Sequence, residues 1–249
     1  MKTVVVYIAM VISCMAFIQK DVISIHMIGD STMSIKETKA RPETGWGEPF
    51  SIFFDESVRV VNHAKNGRST RSFVEEGRWD VVMKDLKKGD YVIIQFGHND
   101  EVQTKKTSTN PDEFKANLVK YVKDTQSQGA IPILLTSVAR RHFDESGFLI
   151  DTHKEFADIV RRVGSEEEVY FIDMDSISRG ELTRLGDEAS KLLYLQLEAG
   201  DHPNYPEGKI DNTHFSEYGA RVWAQMILDE MEKLELEPAN RLTKGRYVK

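Results

Sequence analysis

A chain of 249 residues, 40% hydrophobic and 29% charged, can bury one substantial core and is neither disordered nor fibrous in composition. Its formal net charge of −7, with no long basic block, excludes a protein that tracks nucleic-acid phosphates. The single cysteine, Cys14, excludes an internal disulfide and any cysteine-based zinc site.

Lys2 precedes an uncharged apolar run from Thr3 to Ile18, followed by Lys20 and Asp21. A basic start and a run short for a bilayer crossing predict a secretory signal peptide over residues 1–20 and no membrane span. Val11-Ile12-Ser13-Cys14 is similar to a degenerate lipoprotein cleavage box, which would leave Cys14 lipidated. Cleavage near Ala16, discarding Cys14, is the alternative, and a buried first strand is a third reading. Export is the expectation, with one domain over 21–249.

Val22 to Ile28 predicts a strand that ends in Gly29-Asp30-Ser31. Thr44 to Phe54, with Gly45-Trp46-Gly47-Glu48, predicts a short helix under a loop. Val58 to Asn62 is a second β-branched run, followed by the polar stretch His63 to Phe73, which contains Gly67. Phe73 to Lys87 predicts a helix, and Lys88-Gly89-Asp90 a turn before the apolar strand Tyr91 to Phe96. Gly97-His98-Asn99-Asp100 closes that strand, and Glu101 to Asn110 is a polar loop. Pro111 opens a helix with Phe114, Leu118, Tyr121 and Val122 at helical spacing, ended by Gly129. Ile131 to Val138 is a fourth strand, left through Arg140-Arg141-His142-Phe143-Asp144. Helix from Thr152 to Val163, strand from Val169 to Met174 and further helix from Ile177 to Leu197 come next. Gly200 to Asn212 is loop, and Ser216 to Leu234 is a last amphipathic helix burying Val222, Trp223, Met226, Ile227 and Met231. The polar tail from Pro238 is expected to fray.

Alternating strands and helices predict a three-layer α/β/α sandwich around a flavodoxin-like parallel sheet of five strands. In such sheets ligands bind beyond the carboxyl ends of the strands. Ser31 comes after the first strand at that rim, although a Gly-Asp-Ser tripeptide alone reads equally as a turn or helix cap. Hydrolysis through a serine needs the hydroxyl, a base to take its proton, a partner to fix the base, and donors for the oxyanion. Asp211 and His214, three residues apart, can supply base and partner from one local segment; on their own they are an ordinary loop acid and a helix-start histidine.

Taken jointly, Gly29-Asp30-Ser31, Gly67, Gly97-His98-Asn99-Asp100 and Asp211-x-x-His214 resemble the four blocks of the SGNH (GDSL-type) hydrolases. Within that family the chain is most similar to the rhamnogalacturonan acetylesterases. The resemblance rests on Gly-Asp-Ser-Thr-Met, Gly45-Trp46-Gly47-Glu48, Asn66 to Phe73, Phe96 to Asp100, and His202-Pro203-Asn204-Tyr205-Pro206 leading to Asp211–Ser216. It covers nearly the whole chain after the signal region. It implies Ser31 as nucleophile, His214 as general base and acid, and Asp211 as its orienter. It further implies an oxyanion hole from the Ser31 and Gly67 N–H groups and the Asn99 amide. No metal or cofactor is needed by such a mechanism.

The implied activity is removal of acetyl esters from pectic rhamnogalacturonan. Acetylated xylan or other oligosaccharides, a broad short-chain esterase, and a non-catalytic sugar-binding module are the alternatives. Arg68, Arg71, Arg140 and Arg141 lie after the second and fourth strands and are candidates to grip galacturonate carboxylates; pairing with nearby acids such as Glu48 and Asp144 is the competing expectation. His202 and Asn204 are candidate sugar contacts or loop-shaping residues. Trp46 is expected in the core, and His98 is expected to hydrogen bond behind Asn99. His26, His63, His142 and His153 show no metal-ligand spacing, and Lys105-Lys106 is expected on a solvated face.

Overall fold

A computed structural model describes residues 21–243. The signal-peptide reading and Cys14 therefore lie outside the described residues.

β-branched and aliphatic runs form five parallel strands: β1 (Ile23–Gly29), β2 (Val58–Asn62), β3 (Tyr91–Gln95), β4 (Ile131–Leu135) and β5 (Tyr170–Ile172), in the order β2-β1-β3-β4-β5. β1 and β3 lie inside the sheet and are buried almost throughout, as expected for strands covered on both faces. Among the described residues seven α-helices surround it: α1 (Gly47–Phe50), α2 (Thr70–Glu75), α3 (Arg78–Asp85), α4 (Pro111–Ser127), α5 (Lys154–Glu166), α6 (Met174–Ser190) and α7 (Glu217–Lys233). The alternation of each strand sorts the core in two. Ile25, Met27, Ile93 and Ile133 pack with Phe50 of α1 and Trp223, Ile227 and Met231 of α7. Ile28, Val92, Ile94 and Leu134 pack with Phe73, Trp79, Phe114, Tyr121 and Val160 of α2 to α5.

Register positions the site. Gly29 pairs with Gln95, and Gln95 with Leu135, so β1, β3 and β4 end level. The loops leaving these three strands therefore share one rim.

Several boundaries differ from the sequence expectation. The helix expected over Phe73–Lys87 is two helices, broken where Gly77 adopts φ 68°. The helix expected up to Leu197 stops at Ser190, and Tyr194–Leu197 is a strand, β6, antiparallel to β7 (Lys209–Phe215). A short apolar run such as Leu192–Leu195 carries no period long enough to separate the two states. Asp211 and His214 consequently sit on a strand, not on a helical turn. Of the tail expected to fray, residues 238–243 are held: residues 237–241 form a 3₁₀ turn with Pro238 and Arg241 buried, and Thr243 N–H donates to Phe53 O at 2.8 Å, while 244–249 lie outside the described residues. Among the described residues no helix is long and apolar enough to cross a membrane.

Candidate active site

Ser31 is presented by a turn that its neighbours define. The Asp30 carboxylate accepts from the Thr32 N–H (2.9 Å) and hydroxyl (2.8 Å), while Ser34 N–H returns to the Asp30 carbonyl at 3.1 Å. Burial pushes the Asp30 carboxyl up, against the pull of the Thr32 bonds. Trp46 N–H donates to Thr32 O at 2.9 Å, and a Cβ on Gly45 would sit 2.2 Å from the Ser34 carbonyl. Glycine is therefore required at 45 for the loop to pass behind the serine turn. Trp46 is fully buried with its indole N–H on Gln95 Oε1, in the core as expected.

The β6–β7 hairpin delivers the other two groups. Asp211 Oδ1 accepts the N–H groups of Thr213 and His214, both at 2.9 Å, at a bulge bend in the strand where Leu195 pairs with Asp211 but Tyr194 with Phe215. That bend sets Asp211 Oδ2 2.9 Å from His214 Nδ1, and His214 Nε2 lies 2.8 Å from Ser31 Oγ. Gln196 of β6 holds the Asp211 carbonyl at 3.1 Å, and Arg141 N–H holds the Asn212 carbonyl at 2.9 Å. Burial would raise the Asp211 carboxyl; the hydrogen bond and charge of His214, with the two backbone N–H groups, hold it well below the usual carboxylate range. Such a carboxylate stays ionised and keeps the Nδ1 proton of the imidazole on its own side, leaving Nε2 to take a proton from the hydroxyl.

The loops after β2 and β3 carry the expected donors, Gly67 and Asn99. Gly67 adopts φ 78°, with open space where a Cβ would be, so its backbone conformation is what selects glycine there. Asn99 Nδ2 donates to Arg68 O at 3.0 Å, placing its amide against the Gly67 loop, and Lys105 Nζ donates to Asn99 Oδ1 at 2.6 Å. Lys105 is thus fixed on the site rather than merely solvated. Among the described residues, neither the Ser31 nor the Gly67 N–H donates to another protein group. Asp100 ties the two loops: it accepts from Thr70 N–H at 3.0 Å, Thr70 Oγ1 at 2.6 Å and Thr109 Oγ1 at 3.0 Å. Burial pushes its carboxyl up to about 7, offset in part by those bonds.

The four arginines all have acid partners, though not Glu48 or Asp144. Arg68 meets both oxygens of Glu76 at 3.0 Å. Arg71 reaches Glu113 at 3.4 Å, and Arg140 pairs with Glu101. Arg141 is buried, paired with Asp187 and bonded to Ser190 and Asn212. Asn204 spends its amide on the carbonyls of Thr38 (2.8 Å) and Arg41 (2.9 Å), and its N–H on His202 Nδ1, shaping the loop before β7.

His98 is buried, and neither ring nitrogen meets a hydrogen-bond partner among the described residues, so the bond expected of it is not made. Its ring stands edge-on to His153 at 4.6 Å. His98, Glu101 and His153 offer three ligand atoms within 4.8 Å of one another, a grouping that local spacing could not reveal because β-strand ends and α5 assemble it. Both Glu101 oxygens are engaged, one by Arg140 and the other by His153 Nδ1 at 2.8 Å. A cation placed there would compete with a guanidinium for its only carboxylate, so the donor set suits an ion-pair knot better than a metal.

Lys36, absent from the sequence reading, is buried beside Ser31 and Glu43. Nothing local distinguishes it from Lys39, whose side chain is 85% exposed. Only the folded contacts do.

Residues 27–222 match the model of the GDSL-like lipase/acylhydrolase family. Rhamnogalacturonan acetylesterase RhgT of Bacillus subtilis (strain 168) is 40% identical over 218 residues, covering 87% of this chain and 93% of its own. Probable rhamnogalacturonan acetylesterase YesY of the same organism is 30% identical over 224 residues, 89% of this chain and 98% of its own. Among solved structures, the Bacillus subtilis protein YxiM superimposes with a TM-score of 0.75 at 25% identity, over 87% of this chain and 58% of that one. The acetylxylan esterase Axe2 of Geobacillus stearothermophilus gives 0.60 at 22% identity, over 85% and 94%, and shares the fold.

Proposed function

The chain belongs to the GDSL-like lipase/acylhydrolase family and is a carboxylic-ester hydrolase; from that premise we propose that it removes acetyl groups from rhamnogalacturonan through Ser31, His214 and Asp211. The observation that carries the assignment is the unbroken Ser31 Oγ–His214 Nε2 and His214 Nδ1–Asp211 Oδ2 relay, at 2.8 and 2.9 Å. Relatives named rhamnogalacturonan acetylesterases, matched over nearly their full length, support the substrate.

In this mechanism Ser31 Oγ attacks the acetyl carbonyl carbon as its proton passes to His214 Nε2. The carbonyl oxygen becomes an oxyanion and is received by the Ser31 and Gly67 N–H groups and the Asn99 Nδ2–H. Collapse breaks the bond to the sugar oxygen, which takes the proton back from His214 and leaves as a hydroxyl. Water, deprotonated by the same nitrogen, attacks acetyl-Ser31 and releases acetate and the free serine. Asp211 holds the Nδ1 proton and stabilises the imidazolium in both halves. Arg68 and Arg71, paired with Glu76 and Glu113 but with side chains still about a third exposed, are the arginines we propose to meet uronate carboxylates. Lys2 and the apolar run to Ile18 support export ahead of the catalytic domain.

Acetate release from acetylated rhamnogalacturonan, acetylated xylan and a neutral aryl acetate tests the reading. Preference for the pectic polymer, abolished in Ser31→Ala together with fluorophosphonate labelling, is expected. A preference for xylan would reassign the substrate, and undiminished release by Ser31→Ala would end the mechanism.

A further inference from the structure

Lys36 lies in the turn after Ser31 and has no exposed side-chain surface. Its ammonium is 2.6 Å from Glu43 Oε1, 3.0 Å from Asn66 Oδ1 and in contact with the Ser31 carbonyl oxygen. An ammonium carries three protons and no acceptor, and three oxygens from three different segments surround this one. Ser34 Oγ joins the same cradle, touching Asn66 Oδ1 at 2.5 Å and the Ser31 carbonyl at 3.3 Å. Burial of a charge is costly unless it is paired, and Glu43, itself buried, is the pairing acid. Core packing alone would be served by an apolar side chain. A cation answers a different need, that of gripping oxygens on two loops at once.

The two loops are the ones that carry backbone donors. Holding the Ser31 carbonyl fixes the backbone of Ser31 on the side opposite its N–H. Holding the Asn66 side chain fixes the residue whose peptide bond supplies the Gly67 N–H. Gly67 itself is exposed, with φ 78° and open space where a Cβ would lie, so no side chain of its own anchors its peptide. The flanking residues are held separately, by Lys65 N–H on Gly29 O at 3.0 Å, by Asn99 Nδ2 on Arg68 O at 3.0 Å and by the Arg68 guanidinium on the Asn66 carbonyl at 2.7 Å; the Lys36 contact is the one that ties the Asn66 side chain to the Ser31 carbonyl.

We propose that Lys36, neutralised by Glu43, is a positioning residue for the oxyanion site: it clamps the Ser31 carbonyl to the Asn66 side chain so that the Ser31 and Gly67 N–H groups face one point. This rests on the proposed reading of those two groups as oxyanion donors. Lys36 touches no reacting atom and acts only through the loops it joins.

Two variants test it on a neutral aryl acetate, with kcat expressed per active site titrated by a fluorophosphonate. Asn66→Ala removes one arm of the clamp at an exposed residue and leaves the buried ion pair intact. Lys36→Met combined with Glu43→Gln removes both buried charges together. Loss of an oxyanion donor costs roughly 100- to 1,000-fold in kcat; misalignment of two donors is expected to cost about 10- to 100-fold in the double variant and about 5-fold in Asn66→Ala. KM should stay within about twofold in both, and Asn66→Ala should melt within about 2 °C of the parent. A structural role alone would lower the melting temperature and spare kcat per titrated site. Either variant, folded, with kcat within about twofold of the parent overturns the proposal. Should the double variant fail to fold, Asn66→Ala decides alone. A Ser31→Ala control that retained activity would instead remove the oxyanion reading, and the clamp with it.

Discussion

Ser31 Oγ and His214 Nε2 stand 2.8 Å apart although 183 residues separate them in the chain. The contact is made by two independent constructions. One is the level ending of β1 and β3, which puts Ser31 on the rim, and the other is the bend in β7 at Asp211, which swings the imidazole over it. Groups that act as one unit are not additive when removed. Ser31→Ala and His214→Ala are each expected to lower kcat on an aryl acetate by about 10⁵- to 10⁶-fold, and the double variant by no more than either alone. Additive losses in the double variant would mean that the pair does not work as a unit.

Asp211 has two oxygens with separate duties. Oδ1 holds the Thr213 and His214 N–H groups, and Oδ2 meets His214 Nδ1. In Asp211→Asn the oxygen is expected to keep the two backbone bonds, because the bend needs an acceptor there, and the amide N–H then points at Nδ1. The imidazole is forced into the tautomer whose proton sits on Nε2, and it cannot take the Ser31 proton. The expected result is a fall in kcat of about 10⁴-fold with KM and melting temperature nearly unchanged. A variant with more than a tenth of the parental kcat would assign Asp211 to loop structure only.

Asn99 presents one amide proton to Arg68 O and its oxygen to Lys105, which leaves the second amide proton for the substrate. Asn99→Ala is expected to lower kcat about 100- to 1,000-fold with little change in KM. Asn99→Asp should be worse still, since it sets an anion where negative charge develops. Steady-state kinetics of the two variants, compared at one pH, check the order.

The legible part of this protein is what short-range chemistry writes into the chain. Gly29-Asp30-Ser31 comes after a β-branched run, and Gly97 to Asp100 after another, so the rim and its residues could be read before any coordinates. The hairpin could not. Tyr194–Leu197 is a strand because Lys209–Phe215 lies beside it, and an apolar run of that length is decided by its partner. The same holds for the ion pairs. Arg71 is bound to Glu113 and Arg141 to Asp187 through contacts that join residues more than 40 apart. Lys36 carries no local signal, because its burial depends on Glu43, Asn66 and the Ser31 carbonyl all arriving together.

His63 stacks on His26 at 5.4 Å, with His26 Nδ1 and His63 Nε2 3.1 Å apart. Burial first, then the neighbouring His26, lowers the His63 pKa from 6.5 to about 4. Between those two values the unfolded chain holds a proton that the folded one refuses. Stability therefore rises with pH across this window and is lost on acidification through it. At 1.36 kcal/mol per unit, the loss attributable to this residue is at most about 3 kcal/mol. Urea midpoints at pH 7 and pH 4.5 should differ more in the parent than in His63→Gln. Equal differences would show that the pair is protonated without cost.

Arg141 is 6% exposed and holds the hairpin to the rest of the molecule. Its Nε donates to Ser190 Oγ at 3.1 Å, one terminal nitrogen to Asn212 Oδ1 at 2.9 Å, and the other to the Asp187 carbonyl at 2.6 Å. The guanidinium also lies 5.7 Å from the centre of the Phe143 ring. Removing one member of a buried ion pair typically costs about 3–5 kcal/mol. Here Asp187 is half exposed and regains water, so Arg141→Ala is expected to cost only about 2–3 kcal/mol. For a domain of this size that is a fall of about 5–10 °C in melting temperature. Because Asn212 adjoins Asp211, kcat should fall by a similar factor on acetylated polymer and on a neutral aryl acetate. A parental melting temperature with activity lost on the polymer alone would contradict this and make Arg141 a contact for uronate carboxylates.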